Sequence, residues 1–289
     1  MAEIDSRALN GKTILITGAT RGIGYAAATG LAKMGATLIV HGRDSGRVEQ
    51  ACAKLKKSAT PGQIHSVVAD LASLDDVRRL AGKVNDEHDR LDVLINNAGL
   101  VTRKRAQTVD GLERQLAVNH LAPFLLTHLL LDKLKASAPA RIVNVASMAH
   151  HRASFDLNDL NWEQRRYNGI GAYGATKLAN ILFTRELAKR LEGTRVTANC
   201  LHPGVVATNI FTGMGFFGTV FGIVTRPFLI SKQRGAETSV YLASSPEVAS
   251  VSGTYFNLSK PVAPAPAALD DATAITLWHS SEKFVGRLG

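Results

Sequence analysis

K-T-I-L-I-T-G-A-T-R-G-I-G, residues 12 to 24, decides how the chain is read. The β-branched run from Lys12 to Gly18 has the composition of a buried strand. A helical pattern from Ile23 to Met34 follows, and then a second strand-like run from Thr37 to Val40, which makes one βαβ unit. Gly18, Gly22 and Gly24 fall at the exit from strand to helix. Side chains would obstruct the turn there, and a pyrophosphate must come close to main-chain N–H groups at the helix amino end. Three spaced glycines alone are a weak signal. Their position directly after the first strand favours dinucleotide binding over a mere tight turn.

The alternation continues outward from this unit. A basic helix is expected near Val48 to Lys57, a strand at Ile64 to Ala69, a helix over Leu74 to Glu87 and a strand at Leu91 to Asn96. Strands at Arg141 to Ala146 and Val196 to Leu201 alternate with long helices over about Val109 to Lys135 and Tyr173 to Leu191. Such a rhythm predicts an α/β fold, a single Rossmann-type doubly wound parallel sheet with helices on both faces. No Pro/Ser-rich linker, repeat or low-complexity run divides the chain, so residues 1–289 are expected to form one domain. Within it, an apolar flap at about 205–231 and an irregular tail at about 258–289, Pro/Ala-rich from Pro261 to Ala268, are expected. No Lys, Arg, Asp or Glu occurs between Val196 and Thr225. Pro203, the interspersed glycines and the Arg226-Pro227 pair nevertheless argue against a membrane span, which needs about 20 predominantly apolar residues.

With 45% hydrophobic and 20% charged residues among 289, the chain can bury a sizeable core, which excludes wholesale disorder. The net charge of +10 would attract a polyphosphate, anionic lipid or nucleic acid, or reflect only a soluble basic surface. Aromatics make up 6% and interleave with no basic tract, so no stacking platform for nucleic acid is expected. Cys52 and Cys200 form neither a disulfide framework nor a zinc-ligand pattern, and M-A-E-I-D-S-R-A-L-N-G-K lacks the apolar core of a signal peptide. A reducing, cytoplasmic setting is the expectation. His150 and His151 find no third ligand at metal spacing, and no metal is expected.

Cofactor choice is written at the end of the second strand, I-V-H-G-R-D. An acid there would take the ribose hydroxyls of NAD and a base the 2′-phosphate of NADP. Asp44 has the spacing of an NAD-selecting acid, but Arg43 precedes it and Asp44 is well placed to cap the next helix. With Arg21 inside the glycine turn as a second cation, NADP(H) is favoured. Tyr173 and Lys177 stand four apart on one helix and so share a face. A tyrosine, with an ordinary pKa of about 10, works near neutrality only if a neighbouring ammonium stabilises its phenolate. The residue four after Tyr167 is Gly171, which gives that tyrosine no such partner. Ser147 ends R-I-V-N-V-A-S, where it faces a crevice at the sheet's carboxyl edge or caps a turn; Asn119 lies mid-helix.

Taken in order, T-G-x-x-x-G-x-G at Thr17 to Gly24, N-N-A-G at Asn96 to Gly99, Asn119, Ser147, Tyr173-x-x-x-Lys177 and Pro203-Gly204 resemble the short-chain dehydrogenase/reductase family. The resemblance covers about residues 11 to 257. It implies that Tyr173 is the general acid in carbonyl reduction and the base in reverse. Lys177 would lower the pKa of Tyr173 and hold the nicotinamide ribose. Ser147 would bond the substrate oxygen, and Asn119 would kink its helix and tie a water to Lys177. Cofactor contacts carry over to Gly18, Thr20, Arg21, Gly22, Ile23, Gly24, Arg43, Asp70, Leu71, Asn97, Ala98 and Gly99, and to Pro203, Gly204, Val206 and Thr208. Asn97 alternatively braces the sheet. Ser147 and Tyr173 are 26 positions apart, about twice the family's usual spacing. The inserted segment, with H-P-G-V-V-A-T later, is similar to the retinol-dehydrogenase-like branch.

These residues lead to the expectation of an oxidoreductase passing hydride between NADP(H) and the carbonyl or alcohol of an apolar small molecule, chiefly as a carbonyl reductase. Met214, Phe216, Phe217, Val220 and Phe221 would line the substrate site, or else complete the core. A nucleotide-sensing scaffold without chemistry and an NAD-dependent alcohol dehydrogenase are the alternatives. Peripheral membrane contact through the flap is a third reading. The helices with Ala122 to Leu134 and Leu178 to Leu191 are apolar enough to pair in a homodimer or homotetramer.

Overall fold

A computed structural model describes residues 7–58, 63–204 and 230–286 of the chain. Among these, strands and helices alternate as β1 (Thr13–Ile16), α1 (Gly22–Lys33), β2 (Thr37–Gly42), α2 (Ser45–Lys56), β3 (Ile64–Val68), α3 (Leu74–Glu87) and β4 (Val93–Asn96). Then come α4 (Arg114–Leu116), a π turn (Ala117–Leu121), α5 (Ala122–Leu129), α6 (Leu131–Ala136), β5 (Ala140–Val145), α7 (Gly169–Arg190) and β6 (Val196–His202). The last elements are α8 (Lys232–Ser244), β7 (Tyr255–Asn257), β8 (Lys260–Pro261) and α9 (Asp271–Val285).

The described strands form one eight-stranded sheet in the order β3-β2-β1-β4-β5-β6-β7-β8, parallel except for β7 against β8. β1 reads T-I-L-I and is buried throughout, because a parallel sheet is covered on both faces and its central strands need no polar side. Ile14 and Ile16 pack with α1 and α2 on one face, and Leu15 with α3, α5 and α7 on the other. From β1 the chain winds outward to β2 and β3, and β4 restarts on the other flank. The crevice beyond the carboxyl ends of β1 and β4 is therefore the topological switch point.

The structure departs from the sequence expectation in four places, the first being α8, β7 and β8, which no expected element anticipated. The helix expected over Val109 to Lys135 starts only at Arg114, after a turn at Gly111, and is broken by the π turn and again at Leu130. The helix expected from Tyr173 begins at Gly169, where the Asn168 side chain accepts from the N–H groups of Ile170 and Gly171. The expected irregular tail contains α9, fifteen residues capped by Asp270. Its buried residues Ala274, Leu277, Trp278, Ser281 and Val285 follow a helical spacing, legible once the Pro/Ala-rich stretch before it is set aside. The expected flap falls almost wholly at 205–229, outside the described residues.

α9 covers the apolar surface expected to pair between subunits. Trp278 lies edge-on to Phe124 at 5.1 Å and close to Phe183 at 5.8 Å, with the Arg190 guanidinium 4.1 Å from its ring. Arg185 and Lys189 of α7 both reach Asp271. Truncating this plug leaves a cavity between α5, α7 and α9, so Trp278→Ala is expected to cost about 3–5 kcal/mol. A thermal melt checks it, and an unchanged Tm would show that α9 is not part of the core.

Candidate active site

The glycine turn after β1 is held by neighbours on three sides. A Cβ on Gly24 would lie 2.5 Å from the Gly18 carbonyl oxygen and against the Asn97 amide, so no other residue fits. Asn97 donates from Nδ2 to the carbonyls of Thr17 and Gly18 at 2.8 and 3.2 Å, and in this structure it braces the turn. His41, buried at the end of β2, accepts from the Gly18 N–H at 3.2 Å and donates to the Ala69 carbonyl at 3.1 Å. Gly18 can only donate and Ala69 can only accept, so the ring must be the neutral Nε2–H tautomer. Burial agrees, lowering the His41 pKa to about 4. Sequence reasoning passed over His41 because nothing local marks a histidine that bridges three strand ends.

These elements border a cleft of about 430 Å³ at the switch point. Gly18, Thr20, Arg21, Gly22, Ile23, Gly24, Arg43, Asp70, Leu71, Asn97, Ala98 and Gly99 all line it. Arg21 is the α1 N-cap residue, and its side chain caps nothing, which leaves the helix's first N–H groups to the cleft. Asp44 accepts from the Arg47 N–H at 2.9 Å as the cap of α2. Arg47, Arg114 and Lys232 also line the cleft and were not foreseen, since only the folded chain brings them there. Pro203 and Gly204 follow β6, with Gly204 against Ile230; Val206 and Thr208 lie outside the described residues.

The second half of the site forms where β5 ends. Ser147 is extended, and its hydroxyl accepts from the Ala149 N–H at 3.2 Å, so it caps the turn Met148–Arg152 while facing Tyr173. The segment between them, residues 148–172, loops out and returns. Glu113, fully buried, accepts from the Tyr167 hydroxyl at 2.9 Å and from the Gln115 and Leu116 N–H groups, while Asn161 accepts from the Glu113 N–H. Tyr167 is thus a brace. Tyr173 returns beside Ser147 because Gly174 lets α7 press on the serine turn: a Cβ there would stand 2.7 Å from the Ala149 carbonyl oxygen.

Lys177 donates to the Val145 carbonyl at 2.7 Å, and its ammonium is 5.7 Å from the centre of the Tyr173 ring. Burial pushes the Tyr173 phenol up to about 12, offset in part by the Ser147 hydroxyl, and brings Lys177 down to about 8. The expected lowering of Tyr173 by Lys177 is not seen here, because the ammonium points to a carbonyl and desolvation dominates both groups. Asn119 sits in the π turn, the irregularity expected of its helix. Its carboxamide exchanges bonds with the Leu100 backbone at 2.8 and 2.9 Å and donates to Thr176 at 3.1 Å. The side chain therefore pins the loop after β4 to α7. Gly99 joins the two halves: it lines the cleft, and a Cβ on it would be 3.4 Å from Asn119 Oδ1 and 3.6 Å from Lys177 Nζ. Beneath lies a buried polar chain, Asn96 to Asn144 at 2.8 Å and Asn144 to Thr184 at 2.9 Å, which the sequence did not reveal. Among the described residues, no three His, Cys, Asp or Glu gather to hold a metal.

A cleft at the switch point, joined through Gly99 to Lys177 of a Ser–Tyr–Lys constellation, is the arrangement of a dinucleotide-dependent oxidoreductase. The family model described as short chain dehydrogenase matches residues 12–215, and the chain belongs to that family. Within it the chain is retinol-dehydrogenase-like. It is 44% identical to retinol dehydrogenase 13 of Homo sapiens over 281 residues, 96% of this chain and 85% of that protein. A crystal structure of a protein from Mycobacterium Paratuberculosis matches at 36% identity and a TM-score of 0.78, over 96% of this chain and 94% of that one. A short chain dehydrogenase from Burkholderia cenocepacia, solved in complex with NADP, matches at 26% identity and a TM-score of 0.70, over 86% and 97%.

With its pKa near 8, Lys177 carries a full charge at pH 6.5 and little at pH 9.5. A reaction that needs the ammonium should therefore slow as pH rises through about 8. A pH profile of kcat/KM for reduction should show this limb, and a flat profile from 7 to 9.5 would count against a role for the charge.

Proposed function

We propose that the chain is an NADP(H)-dependent carbonyl reductase, reversible as an alcohol dehydrogenase, acting on an apolar small molecule. The observation that carries this reading is the meeting of Tyr173, Ser147 and Lys177 beside Gly99 at the inner end of the nucleotide cleft. The cofactor fits the residues present. The α1 amino end offers uncapped N–H groups, Gly24 tolerates no side chain, and Gly18, Gly22 and Gly99 line the same cleft. When bound, the nicotinamide supplies or accepts the hydride. Ser147 donates its hydroxyl proton in a hydrogen bond to the substrate oxygen and orients it. Tyr173, a neutral phenol at pH 7, gives its proton to that oxygen as negative charge develops there. The Lys177 ammonium favours the phenolate left behind and would hold the nicotinamide ribose of a bound cofactor. Tyr173 and Lys177 are buried and Ser147 is half-buried, which limits the water that reaches the transfer.

NADP is preferred over NAD in this reading because Arg21, Arg43 and Arg47 line the cleft, while the Asp44 carboxylate is engaged as a helix cap. The Burkholderia relative's NADP complex supports the choice. The substrate would be held under the segment with Met214, Phe216, Phe217, Val220 and Phe221, a lining inferred from sequence alone. The name of the human relative makes retinoids one candidate among apolar aldehydes and ketones. Self-association through α5 and α7 is not part of this reading, since α9 covers their apolar side; any homodimer or homotetramer would use another face.

NADPH oxidation with a panel of apolar aldehydes and ketones, retinaldehyde included, tests the activity. Tyr173→Phe should lower kcat/KM by about a hundredfold or more, and turnover that survives it would remove Tyr173 as the acid. Arg43→Ala should raise KM for NADPH by about tenfold or more, the worth of one charged hydrogen bond, and leave that for NADH nearly unchanged. Equal effects on both cofactors would overturn the 2′-phosphate assignment.

A further inference from the structure

The turn that carries Ser147 is gripped by two buried histidines that the reaction does not use. His150 is 2% exposed; its Nδ1 lies 2.6 Å from the Ser147 carbonyl oxygen, and its Nε2 lies 3.0 Å from the Ala265 backbone nitrogen. A carbonyl can only accept and an N–H can only donate, so Nδ1 must carry the proton and Nε2 must be bare. His202, 5% exposed at the end of β6, accepts from the Met148 N–H at 3.3 Å. The His150 ring rests edge-on against Tyr255 at 5.2 Å and beside His151 at 4.1 Å, which fixes its plane. Burial lowers the pKa of both His150 and His202, the latter to about 4, so both stay neutral near pH 7.

Ala265 precedes the turn Pro266–Leu269 and α9, and α9 packs through Trp278 on α7, the helix that carries Tyr173. The contacts close a ring: Ser147 to His150, His150 to Ala265, then through α9 and α7 back to Tyr173. We propose that His150 is a positioning residue for the hydride-transfer reaction, and that through it the segment from Ala265 to Val285 sets where Ser147 stands relative to Tyr173. This rests on the reading of Ser147 given above. The turn's own bonds, from the His150 N–H to the Ser147 carbonyl at 3.2 Å and from the Ala149 N–H to the Ser147 hydroxyl, are local, and Lys177 and Asn180 hold Val145, two residues earlier; the His150 ring adds the tie to Ala265. Of the two His150 bonds, the one from Nδ1–H to the Ser147 carbonyl fixes the serine itself. The one from Ala265 aims the ring.

The two bonds can be separated. In His150→Asn the side-chain amide reaches the Nδ1 position and keeps a donor for the Ser147 carbonyl. In His150→Gln a carbonyl reaches the Nε2 position and keeps an acceptor for Ala265. With kcat and the KM for NADPH measured separately and Tm followed, His150→Asn should hold kcat within about threefold. His150→Gln and His150→Phe should lose about ten- to a hundredfold in kcat, the scale of an ångström's misplacement of a reacting group. The KM for NADPH should stay within about twofold, because His150 does not line the nucleotide cleft. Wild-type kcat in the Gln and Phe variants would overturn the proposal, as would a change confined to Tm or to the KM for NADPH. Ser147→Ala serves as the control. If it turns over like wild type, the role of the serine fails; if it is inactive while the His150 variants are not, only the present inference fails. In the unmodified protein, nitrogen NMR of the imidazoles should find His150 as the Nδ1–H tautomer and His41 as Nε2–H at about pH 7.5 to 8. The reverse assignment for His150 would overturn the ring of contacts independently of any variant.

Discussion

Lys177 holds its ammonium 2.7 Å from the carbonyl of Val145, both shut away from solvent, and the rest of the site is arranged around that bond. A buried cation needs a partner, and a carbonyl dipole is a weaker one than a carboxylate. The ammonium is therefore retained at a cost that shows as a pKa near 8. A carboxylate in place of the carbonyl would keep the charge fixed but turn it away from the phenol. With a neutral partner the charge is not cancelled, and it lies 5.7 Å from the centre of the Tyr173 ring.

That bond needs β5 to end at one depth relative to α7, and polar groups buried under the sheet supply the alignment. Asn96 and Asn144 sit opposite each other on β4 and β5 and bond side chain to side chain, and Asn144 continues to Thr184 on α7. A slip of one residue in either strand would turn an amide into the opposite apolar layer, so the register of the sheet and the depth of the lysine are tied together. The π turn at Asn119 has a related use. It lets one carboxamide hold the loop after β4 and the helix bearing Tyr173 at once.

Histidines are used here as neutral struts. His41 and His150 have opposite tautomers, each dictated by one backbone donor and one backbone acceptor, and each supports a turn at a strand end. An imidazole suits the task because it offers one donor and one acceptor on a rigid ring. Burial keeps it uncharged, so the support does not loosen as pH moves across the neutral range.

How much of this was legible in the sequence depends on whether the cause is local. T-I-L-I reads as a strand buried on both faces, and α3 can be bounded to the residue because Ser73 caps it, accepting from the Asp76 N–H. The same holds for the glycine turn, for Asp44 as a cap, and for Tyr173 and Lys177 on one face, since propensity, capping and helical period act over a few residues. α9 was missed although its stripe is regular, because the Pro/Ala-rich stretch before it set the reading of the whole tail, and the residues it packs against, Phe124 and Phe183, lie far away in sequence. His41, Arg47, Lys232 and His150 carry no local mark of their roles. By itself the sequence determined the order of elements as far as β6, the glycine turn after β1 and the placing of Tyr173 and Lys177 on one helix face. Only the tertiary structure decided which carbonyl receives the lysine, which cations border the cleft and what holds the serine, because those depend on burial and on contacts between strand ends that no short window of sequence contains.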